Sequence, residues 1–525
     1  MNTLELLKIP FWIAADREAL AFEGRRMSYG DLMDRVNRAT VALSNLGVQQ
    51  GGKVAVLQTN CNEYIETYFA ISCLGGVIVP LNFRARQNEL EHMLRDSESE
   101  VLLFGDRYLS LVQAMRPNLP GIRHYVAMES PQPGFPHYEE LLGAVEEPDM
   151  AVALEAEVDD HDLSVLMYTS GTTALPKGVM LTAGGFMGHI MNAAEPDPEA
   201  PPTATLLSAP FYHIAGFSSM LIGLYGLRRL VVVRQFEPRQ WLQLCQDEKV
   251  THVFLVPTMM RQLIDQPDFK QYDFSSLQSV TYGGAPMPVP VIERAIDLFP
   301  KQVSFVNAFG QTETLSTVTA LGPDDHRLEG TPAEIELKKR RLGSIGRAVG
   351  DVVVQIVDDN GKEVPRGTVG EIAILVPRAM TGYWKQEEAT ANTLVDGWIR
   401  TRDMGWMDEG DYLFLAGRKS DMIIRGGENV APEQVESILY AHPLVEDAAV
   451  IGVPDDDWGE EVIAIVVPKV GASPTQEELI AFARERIAAY PRAIFFSEDL
   501  PRNPLGKVLK NVLRDQYKTA TPARS

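Results

Sequence analysis

The chain has 525 residues, of which 45% are hydrophobic, and its formal net charge is −23 at pH 7. A chain of this length buries more than one hydrophobic core, so we expect several domains. Phosphate backbones repel so acidic a protein, and the charge therefore excludes general nucleic-acid binding. The three cysteines, Cys61, Cys73 and Cys245, are far apart in sequence, which excludes a disulfide framework and a thiolate metal site.

No segment of the sequence has the pattern of a membrane span or a secretory signal. The first twenty residues contain no basic stretch followed by an apolar run, and this predicts a cytoplasmic protein. The most apolar stretch, 214–233, is interrupted by Arg228 and Arg229 and contains several glycines. We therefore expect no transmembrane segment.

Short apolar runs alternate with amphipathic segments in the first half of the chain. The runs predict strands at 53–57, 77–80, 101–104, 164–168, 229–233 and 252–256. The amphipathic segments predict helices at 63–74, 87–95 and 238–248. This alternation indicates an α/β fold with largely parallel sheets in a large N-terminal domain.

The pattern changes after about residue 343. Short alternating strands at 350–358, 368–376 and 410–418 predict a small β-rich subdomain over 343–417. Beyond it the pattern is mixed, with strands predicted at 445–453 and 461–468 and helices at 432–441 and 476–489. A turn-like GRKSD sequence at 417–421 separates two strands. We therefore predict an N-terminal domain over 1–417 and a small α+β C-terminal domain over 422–525.

A loop rich in Ser, Thr and Gly follows the predicted strand at 164–168 and precedes Lys177. Glycine lets the backbone turn so that its N–H groups point inward. These amides, together with side-chain hydroxyls and the ammonium of a lysine, are suited to binding a phosphate. The spacing is not that of a P-loop, so the sequence does not indicate an ordinary P-loop NTPase. By composition alone, a polar surface turn is an equally good interpretation.

The sequence TSGTTALPKG closely resembles the signature loop of the adenylate-forming superfamily, which includes acyl-CoA synthetases, peptide-synthetase adenylation domains and luciferases. The resemblance implies that Lys177 balances phosphate charge as ATP reacts. It also implies a set of loop residues that bind the nucleotide, namely Thr169, Ser170, Gly171, Thr172 and Thr173. The chain departs from the family at Ala174, where relatives usually have glycine.

Three further segments resemble family motifs around the acyl group and the adenine. PFYHIAGF resembles the segment that carries a gate beside the acyl pocket, here His213, although a packed core histidine is the bland alternative. TYGGAPMP and NAFGQTET resemble the turn and the strand that line the pocket and the base. The resemblance assigns Gly283 and Ala308 to the acyl pocket. It assigns the nucleotide to Gly284, Ala285, Pro286, Phe309, Gly310, Gln311 and Thr312.

The same resemblance assigns the metal and the ribose. Glu313 would be the ligand of Mg²⁺, which prefers oxygen ligands and takes one or two carboxylates plus phosphates. Asp403 would accept hydrogen bonds from the ribose hydroxyls, and Arg418 would reach the same ribose or the phosphate. Where the family usually has glycine before this aspartate, the chain has Arg402.

The C-terminal motifs concern domain movement and coenzyme A. The resemblance implies a hinge over 418–421, centred on Ser420, where relatives generally have Asp or Lys. Gly426 and Gly427 match the loop that approaches coenzyme A. PRNPLGKVLK matches the motif that delivers the catalytic lysine, Lys507, whose ammonium stabilises charge on the α-phosphate. The C-terminal domain is then a mobile lid.

Taken in order, the motifs predict an enzyme that activates a carboxylic acid with ATP and Mg²⁺ and transfers the acyl group to coenzyme A. The motif style favours a medium- or long-chain fatty acid, with an aromatic or alicyclic acid as the alternative. Ala209, Pro210 and Phe211 offer no carboxylate for a substrate amino group, and no carrier domain follows Lys510. Transfer to a carrier protein, an oxygenase of the luciferase type and a non-catalytic nucleotide-binding homologue are the rival hypotheses. The resemblance also allows a homodimer.

Overall fold

The computed structural model describes residues 1–169, 175–425, 428–455, 458–487, 489–502 and 508–518. These residues form four β-sheets with flanking helices. Three sheets lie in a large N-terminal domain and the fourth lies in a small C-terminal domain. The predicted α/β fold is confirmed.

The first sheet has seven strands and is parallel at its centre. Val54 is aligned with Ile78 on one side and with Val101 on the other, as in β-α-β units. In spatial order its strands are Gly382–Tyr383, Lys177–Thr182, Leu163–Thr169, Val77–Pro80, Lys53–Leu57, Val101–Phe104 and His124–Ala127. The first two of these run antiparallel to their neighbours, so a hairpin forms one side of the sheet.

The second sheet has nine strands and is also parallel at its centre. In spatial order these are Arg347–Ala348, Ser316–Leu321, Ser304–Gln311, Ser279–Gly283, His252–Leu255, Ala204–Leu207, Arg229–Val232, Glu18–Phe22 and Arg25–Ser28. Because Ser279–Gly283 and Ser304–Gln311 are parallel neighbours, their carboxyl ends meet at one edge. In open α/β sheets, ligands bind at this edge.

Helices from both halves of the domain pack into one buried cluster with strands of the two large sheets. Asn62–Cys73 is buried along its whole length. The other helices of this cluster are Glu5–Ala14, Tyr29–Asn45, Tyr138–Gly143, Met150–Ala153, Ala183–Ala193 and Ile214–Tyr225. A capping box begins Tyr29–Asn45, because Ser28 and Asp31 each accept the other's backbone N–H.

The remaining α-helices of the large domain contribute no residue to this buried cluster. They are Gln87–Asp96, Leu109–Met115, Pro238–Asp247, Pro257–Ile264, Val289–Leu298, Pro323–His326, Pro332–Arg341 and Glu387–Ala391. None of the helices in the described ranges is long and apolar enough to cross a bilayer.

The third sheet is antiparallel. Its strands are Val353–Val357, Gly370–Leu375, Trp398–Met407, Leu394–Val395 and Leu413–Arg418. This sheet lies within the β-rich subdomain predicted over 343–417, and in the same range Arg347–Ala348 joins the nine-stranded sheet and Gly382–Tyr383 joins the seven-stranded sheet. Alternating strands reveal which face is buried but not which partner each strand takes.

The fourth sheet forms the core of the C-terminal domain. Its strands are Glu428–Val430, Ile423–Arg425, Gly459–Pro468, Val445–Asp455 and Ala493–Phe496, and its helices are Pro432–Tyr440, Gln476–Arg484 and Lys510–Tyr517. The helix predicted over 476–489 ends at Arg484. Pro491 follows closely and disfavours helical backbone in the residue before it, and the chain then enters the strand Ala493–Phe496.

Candidate functional site

The strands on both sides of the predicted phosphate loop form a hairpin. Thr169 ends Leu163–Thr169 and is paired with Lys177, which begins Lys177–Thr182. Ser170, Gly171, Thr172, Thr173 and Ala174 lie outside the described residues. The Nζ atom of Lys177 lies 5.4 Å from the centre of the Tyr383 ring, within cation–π range.

Tyr383 connects this hairpin to the predicted metal ligand. Its hydroxyl donates a hydrogen bond to Oε1 of Glu313 at 2.8 Å. Burial, followed by the charge of Glu313, raises the pKa of Tyr383, so the hydroxyl keeps its proton at neutral pH. Sequence reasoning missed Tyr383, because a tyrosine between Gly382 and Trp384 has the pattern of an ordinary packed strand.

A second group of side chains surrounds Asp403. Nε of Arg418 lies 2.6 Å from Oδ1 of Asp403, and Nε2 of Gln311 donates to Oδ2 at 2.5 Å. Asp403 is 6% exposed, and a carboxylate so deeply buried requires compensation by a cation. Each carboxylate oxygen has two lone pairs and accepts more than one hydrogen bond, which is the chemistry that the hydroxyls of a ribose require.

The residue before Asp403 has an unusual backbone. Arg402 has a φ of +60°, in the left-handed region that costs a side-chain-bearing residue roughly 1–2 kcal/mol. Its N–H donates to Oε1 of Glu371 at 3.0 Å, and this bond holds the conformation. The φ explains why glycine is usual here in the family that the sequence resembles. The guanidinium itself is exposed.

The turn after Ser279–Gly283 lies beside the end of Ser304–Gln311. Gly283 is aligned with Ala308, and a Cβ on Gly283 would lie 2.1 Å from the Ala308 carbonyl oxygen, so no side chain fits. Gly284 has a φ of +79° and turns the chain away, and Ala285 and Pro286 continue this turn. The structure therefore brings the predicted turn and Ala308 together.

The residues that follow Ala308 differ in their environment: Phe309 packs in a core, whereas the later residues lie at and beyond the end of the strand. Phe309 is half-buried and packs against the core of the third sheet. Gly310 and Gln311 end the strand, and Thr312 follows with partial exposure. The three residues Gln311, Thr312 and Glu313 therefore connect the group around Asp403 with the group around Tyr383.

His213 lies at the start of the helix Ile214–Tyr225. Its ring centre is 4.2 Å from that of Tyr212, and its Nε2 atom is buried without a hydrogen bond from the described part of the chain. Burial, with a smaller contribution from Arg84, lowers the pKa of His213 to about 3. The imidazole is therefore neutral at physiological pH. The burial of the ring and its contact with Tyr212 fit both interpretations of this residue, the gate and the packed histidine.

The predicted hinge forms a tight turn. The N–H of Asp421 donates to the carbonyl of Arg418 at 2.8 Å, and Ser420 is exposed within this turn. Gly426, Gly427 and Lys507 lie outside the described residues. On either side of the two glycines, Arg425 is paired with Glu428. On either side of 503–507, Arg502 forms a β-bridge with Val508.

The residues at hand fit a magnesium ion that is held mainly by phosphates. The described ranges contain no group of three or more His, Cys, Asp or Glu side chains that could hold a metal. Glu313 supplies one carboxylate, and Tyr383 orients it through Oε1. One carboxylate is enough for Mg²⁺ when phosphates and water complete the shell.

Family models match two parts of the chain. The one described as AMP-binding enzyme matches residues 13–384, and the one described as AMP-binding enzyme C-terminal domain matches 434–507. The chain is 35% identical to a feruloyl-CoA synthase of Amycolatopsis over 95% of the chain and 96% of the relative. It is 33% identical to an indoleacetate–CoA ligase of Aromatoleum aromaticum, covering 95% and 94%. It is 30% identical to a long-chain-fatty-acid–CoA ligase of Bacillus subtilis, covering 95% and 92%.

Solved structures show the same fold. An anthranilate CoA ligase in complex with anthranoyl-AMP superposes with a TM-score of 0.87 at 26% identity, covering 99% of the chain and 98% of that structure. ATP-bound MatB from Rhodopseudomonas palustris superposes with a TM-score of 0.86. The apo form of MatB superposes with 0.76. Both MatB structures are 28% identical to the chain and cover 99% of each.

Proposed function

The chain belongs to the AMP-binding enzymes and is an acid–thiol ligase of their acyl-CoA synthetase branch, and from this premise we propose that it converts an apolar aromatic carboxylic acid into its CoA thioester. ATP and coenzyme A are the cosubstrates. ATP-dependent activation of the acid is supported most directly by the segment 311–313. This segment joins the group around Asp403 to the group formed by Glu313, Tyr383 and Lys177. One short segment thus reaches a ribose site and a phosphate site together.

In the first half-reaction the carboxylate of the acid attacks the α-phosphorus of ATP. The P–O bond to pyrophosphate breaks, and the products are acyl-AMP and pyrophosphate. Asp403 and Arg418 hold the ribose, while Lys177 and Lys507 balance the charge on the phosphates. Bound Mg²⁺ would supply further positive charge there. Glu313, oriented by Tyr383, would be its protein ligand.

In the second half-reaction the thiolate of coenzyme A attacks the acyl carbon, and AMP leaves. We assign this step to a second orientation of the C-terminal domain, in which Lys507 has left the site and Gly426 and Gly427 approach it. The chain superposes better on ATP-bound MatB than on its apo form, with TM-scores of 0.86 and 0.76, and on this basis we assign the described orientation to the first step.

The nature of the acid is supported by the site and by the relatives. His213 is neutral, and neither Gly283 nor Ala308 carries a charged side chain, which favours an apolar acyl group. The sequence motifs favoured a fatty acid. The feruloyl and indoleacetate relatives, at 35% and 33% identity, favour an aromatic ring instead. A fatty acid stays the second candidate because of the Bacillus subtilis ligase at 30% identity.

The experiment is a pyrophosphate-release screen over aryl-propenoic, arylacetic, benzoic and fatty acids, with and without coenzyme A. We expect release with an aromatic acid and formation of its thioester when coenzyme A is added. A clear preference for fatty acids would overturn the aromatic proposal. Acyl-AMP formation without any thioester would favour transfer to a carrier protein, and no release with any acid would favour the non-catalytic hypothesis.

A further inference from the structure

An ion pair joins the large domain to the C-terminal domain away from the predicted hinge. Arg261 lies on the helix Pro257–Ile264 of the large domain. Its Nη1 atom donates to the backbone carbonyl of Glu446 at 3.1 Å. The same atom lies 3.4 Å from Oε1 of Glu446 and 3.9 Å from Oδ2 of Asp447.

The helix that carries Arg261 begins beside the site. Pro257 follows Val256 directly, and Cγ1 of Val256 lies 3.5 Å from the position that a Cβ on Gly284 would occupy. Gly284 belongs to the turn that we assign to the nucleotide. The position of Arg261 is therefore fixed by the same elements that shape the nucleotide site.

On the C-terminal domain, Asp447 is hydrogen-bonded to a residue that directly precedes the segment carrying Lys507. Asp447 has only 3% of its side chain exposed, and it accepts hydrogen bonds from Tyr440 and Arg502. Arg502 directly precedes 503–507 and forms a β-bridge with Val508 directly after it. The N–H of Leu509 also donates to the carbonyl of Pro501 at 2.7 Å.

The two arginines differ in what happens when the domains separate. Arg502 belongs to the same domain as Asp447, so it compensates the buried carboxylate in every domain orientation. Arg261 belongs to the other domain and keeps 29% of its side chain exposed. A partly exposed cation can leave a carboxylate that stays compensated at little cost. The contact therefore has the properties of a reversible one.

We infer that Arg261 is a positioning residue that favours the adenylating orientation of the C-terminal domain through Glu446 and Asp447, an inference that rests on the proposed function. In that orientation, Asp447 and Arg502 hold the base of the Lys507 segment at a fixed distance from the large domain. Arg261 touches neither ATP nor the acid in this role. Its effect is on the first half-reaction alone.

The test measures the two half-reactions separately in the full chain, with the acid found by the screen. For Arg261→Gln we expect the kcat of ATP–pyrophosphate exchange to fall about 3- to 10-fold, as for loss of a partly exposed charged contact. Conversion of supplied acyl-AMP and coenzyme A to thioester should stay within about twofold of wild type. A purely structural role would slow both reactions together, and that result would overturn the inference.

A charge exchange and a matched control sharpen the test. Arg261→Glu places a carboxylate against Glu446 and Asp447 and should slow exchange further, and combining it with Glu446→Arg should restore part of the rate. Arg239→Gln is the control, because Arg239 pairs with Asp268 at 3.3 Å within the large domain. Normal exchange by Arg261→Gln would overturn the inference alone. Absence of exchange by the wild type would overturn the proposed function as well.

Discussion

The hydroxyl of Tyr383 lies 2.8 Å from Oε1 of Glu313, and this hydrogen bond joins the two large sheets. Tyr383 belongs to the seven-stranded sheet, whereas Glu313 follows the last parallel strand of the nine-stranded sheet. A backbone bond from the N–H of Met380 to the carbonyl of Glu313, at 2.9 Å, reinforces the junction. The segment 380–383 thus holds the predicted metal ligand through both its side chain and its backbone.

Tyr383→Phe removes the donor and leaves the ring in place. A hydrogen bond to a charged group contributes about 1.5–3 kcal/mol, so we expect adenylation to slow about 10- to 100-fold. The Mg²⁺ concentration that gives half-maximal activity should rise as well. The measurement is pyrophosphate release as a function of Mg²⁺. Tyr412→Phe is the control, since Tyr412 makes a similar bond to Asp325 at 2.9 Å. Equal effects of the two substitutions would contradict the role of Tyr383.

Asp403→Asn keeps the shape of the side chain but removes the charge that pairs with Arg418 and that we propose for the ribose hydroxyls. We expect the KM for ATP to rise about tenfold or more, because a charged hydrogen-bond acceptor is lost. The KM for the acid should change little. Asp359→Asn is the comparison, because Asp359 forms an exposed ion pair with Lys419 at 2.7 Å. An unchanged KM for ATP would place the ribose elsewhere.

Arg402→Gly should relieve the left-handed backbone at this position. Glycine adopts a φ of +60° without a Cβ penalty, although it also loses more conformational freedom on folding. The net expectation is a gain of up to about 1 kcal/mol in the free energy of unfolding. Arg402→Val should lower this free energy by a similar amount or more, since branched residues avoid positive φ. Urea unfolding of both variants measures the free energy of unfolding. A higher value for Arg402→Val than for the wild type would show that the backbone at this position is not strained.

Acid should destabilise the fold through buried neutral histidines. His326 donates from Nδ1 to the Gly322 carbonyl and accepts at Nε2 from Tyr282, each at 2.8 Å, because a carbonyl can only accept. Burial lowers the pKa of His326 from 6.5 to about 4. As the pH falls, the unfolded chain therefore binds a proton at this imidazole before the folded chain does. The stabilisation that neutral His326 gives the fold is complete above pH 6.5 and is lost as the pH falls toward 4.

The slope for one such histidine is about 1.4 kcal/mol per pH unit. In His326→Gln, unfolding free energies measured between pH 4.5 and 6 should show a pH slope that is smaller by about this amount. His161→Gln, at an exposed position, should keep the wild-type slope. A slope that is the same in all three proteins would show that His326 is not the group that titrates.

Much of the architecture follows from local sequence, because the parallel strands are apolar runs with clear ends. The runs at 53–57, 77–80 and 101–104 coincide with Lys53–Leu57, Val77–Pro80 and Val101–Phe104. Continuous apolar runs are typical of strands that are buried on both faces. The partners of short strands such as Gly382–Tyr383 depend on distant segments, so their pattern could not predict them.

The site was foreseen only in part, for the same reason. Gln311 and Asp403 each belong to a recognisable motif, but their contact at 2.5 Å joins residues that are 92 positions apart. The role of Tyr383 depends entirely on its distance from Glu313, which no local pattern encodes. The roles assigned to the site residues stay predictions, including those of Lys507, Gly426 and Gly427.

The arrangement of Gln311, Thr312 and Glu313 has a consequence for the tolerance of this segment to insertions. Gln311 reaches Asp403 and Glu313 reaches Tyr383, so the backbone between them has to span a fixed separation. A single inserted residue would leave every side chain chemically intact, yet it would put one of the two contacts out of reach. In this segment the number of residues constrains the enzyme as strictly as their identity does.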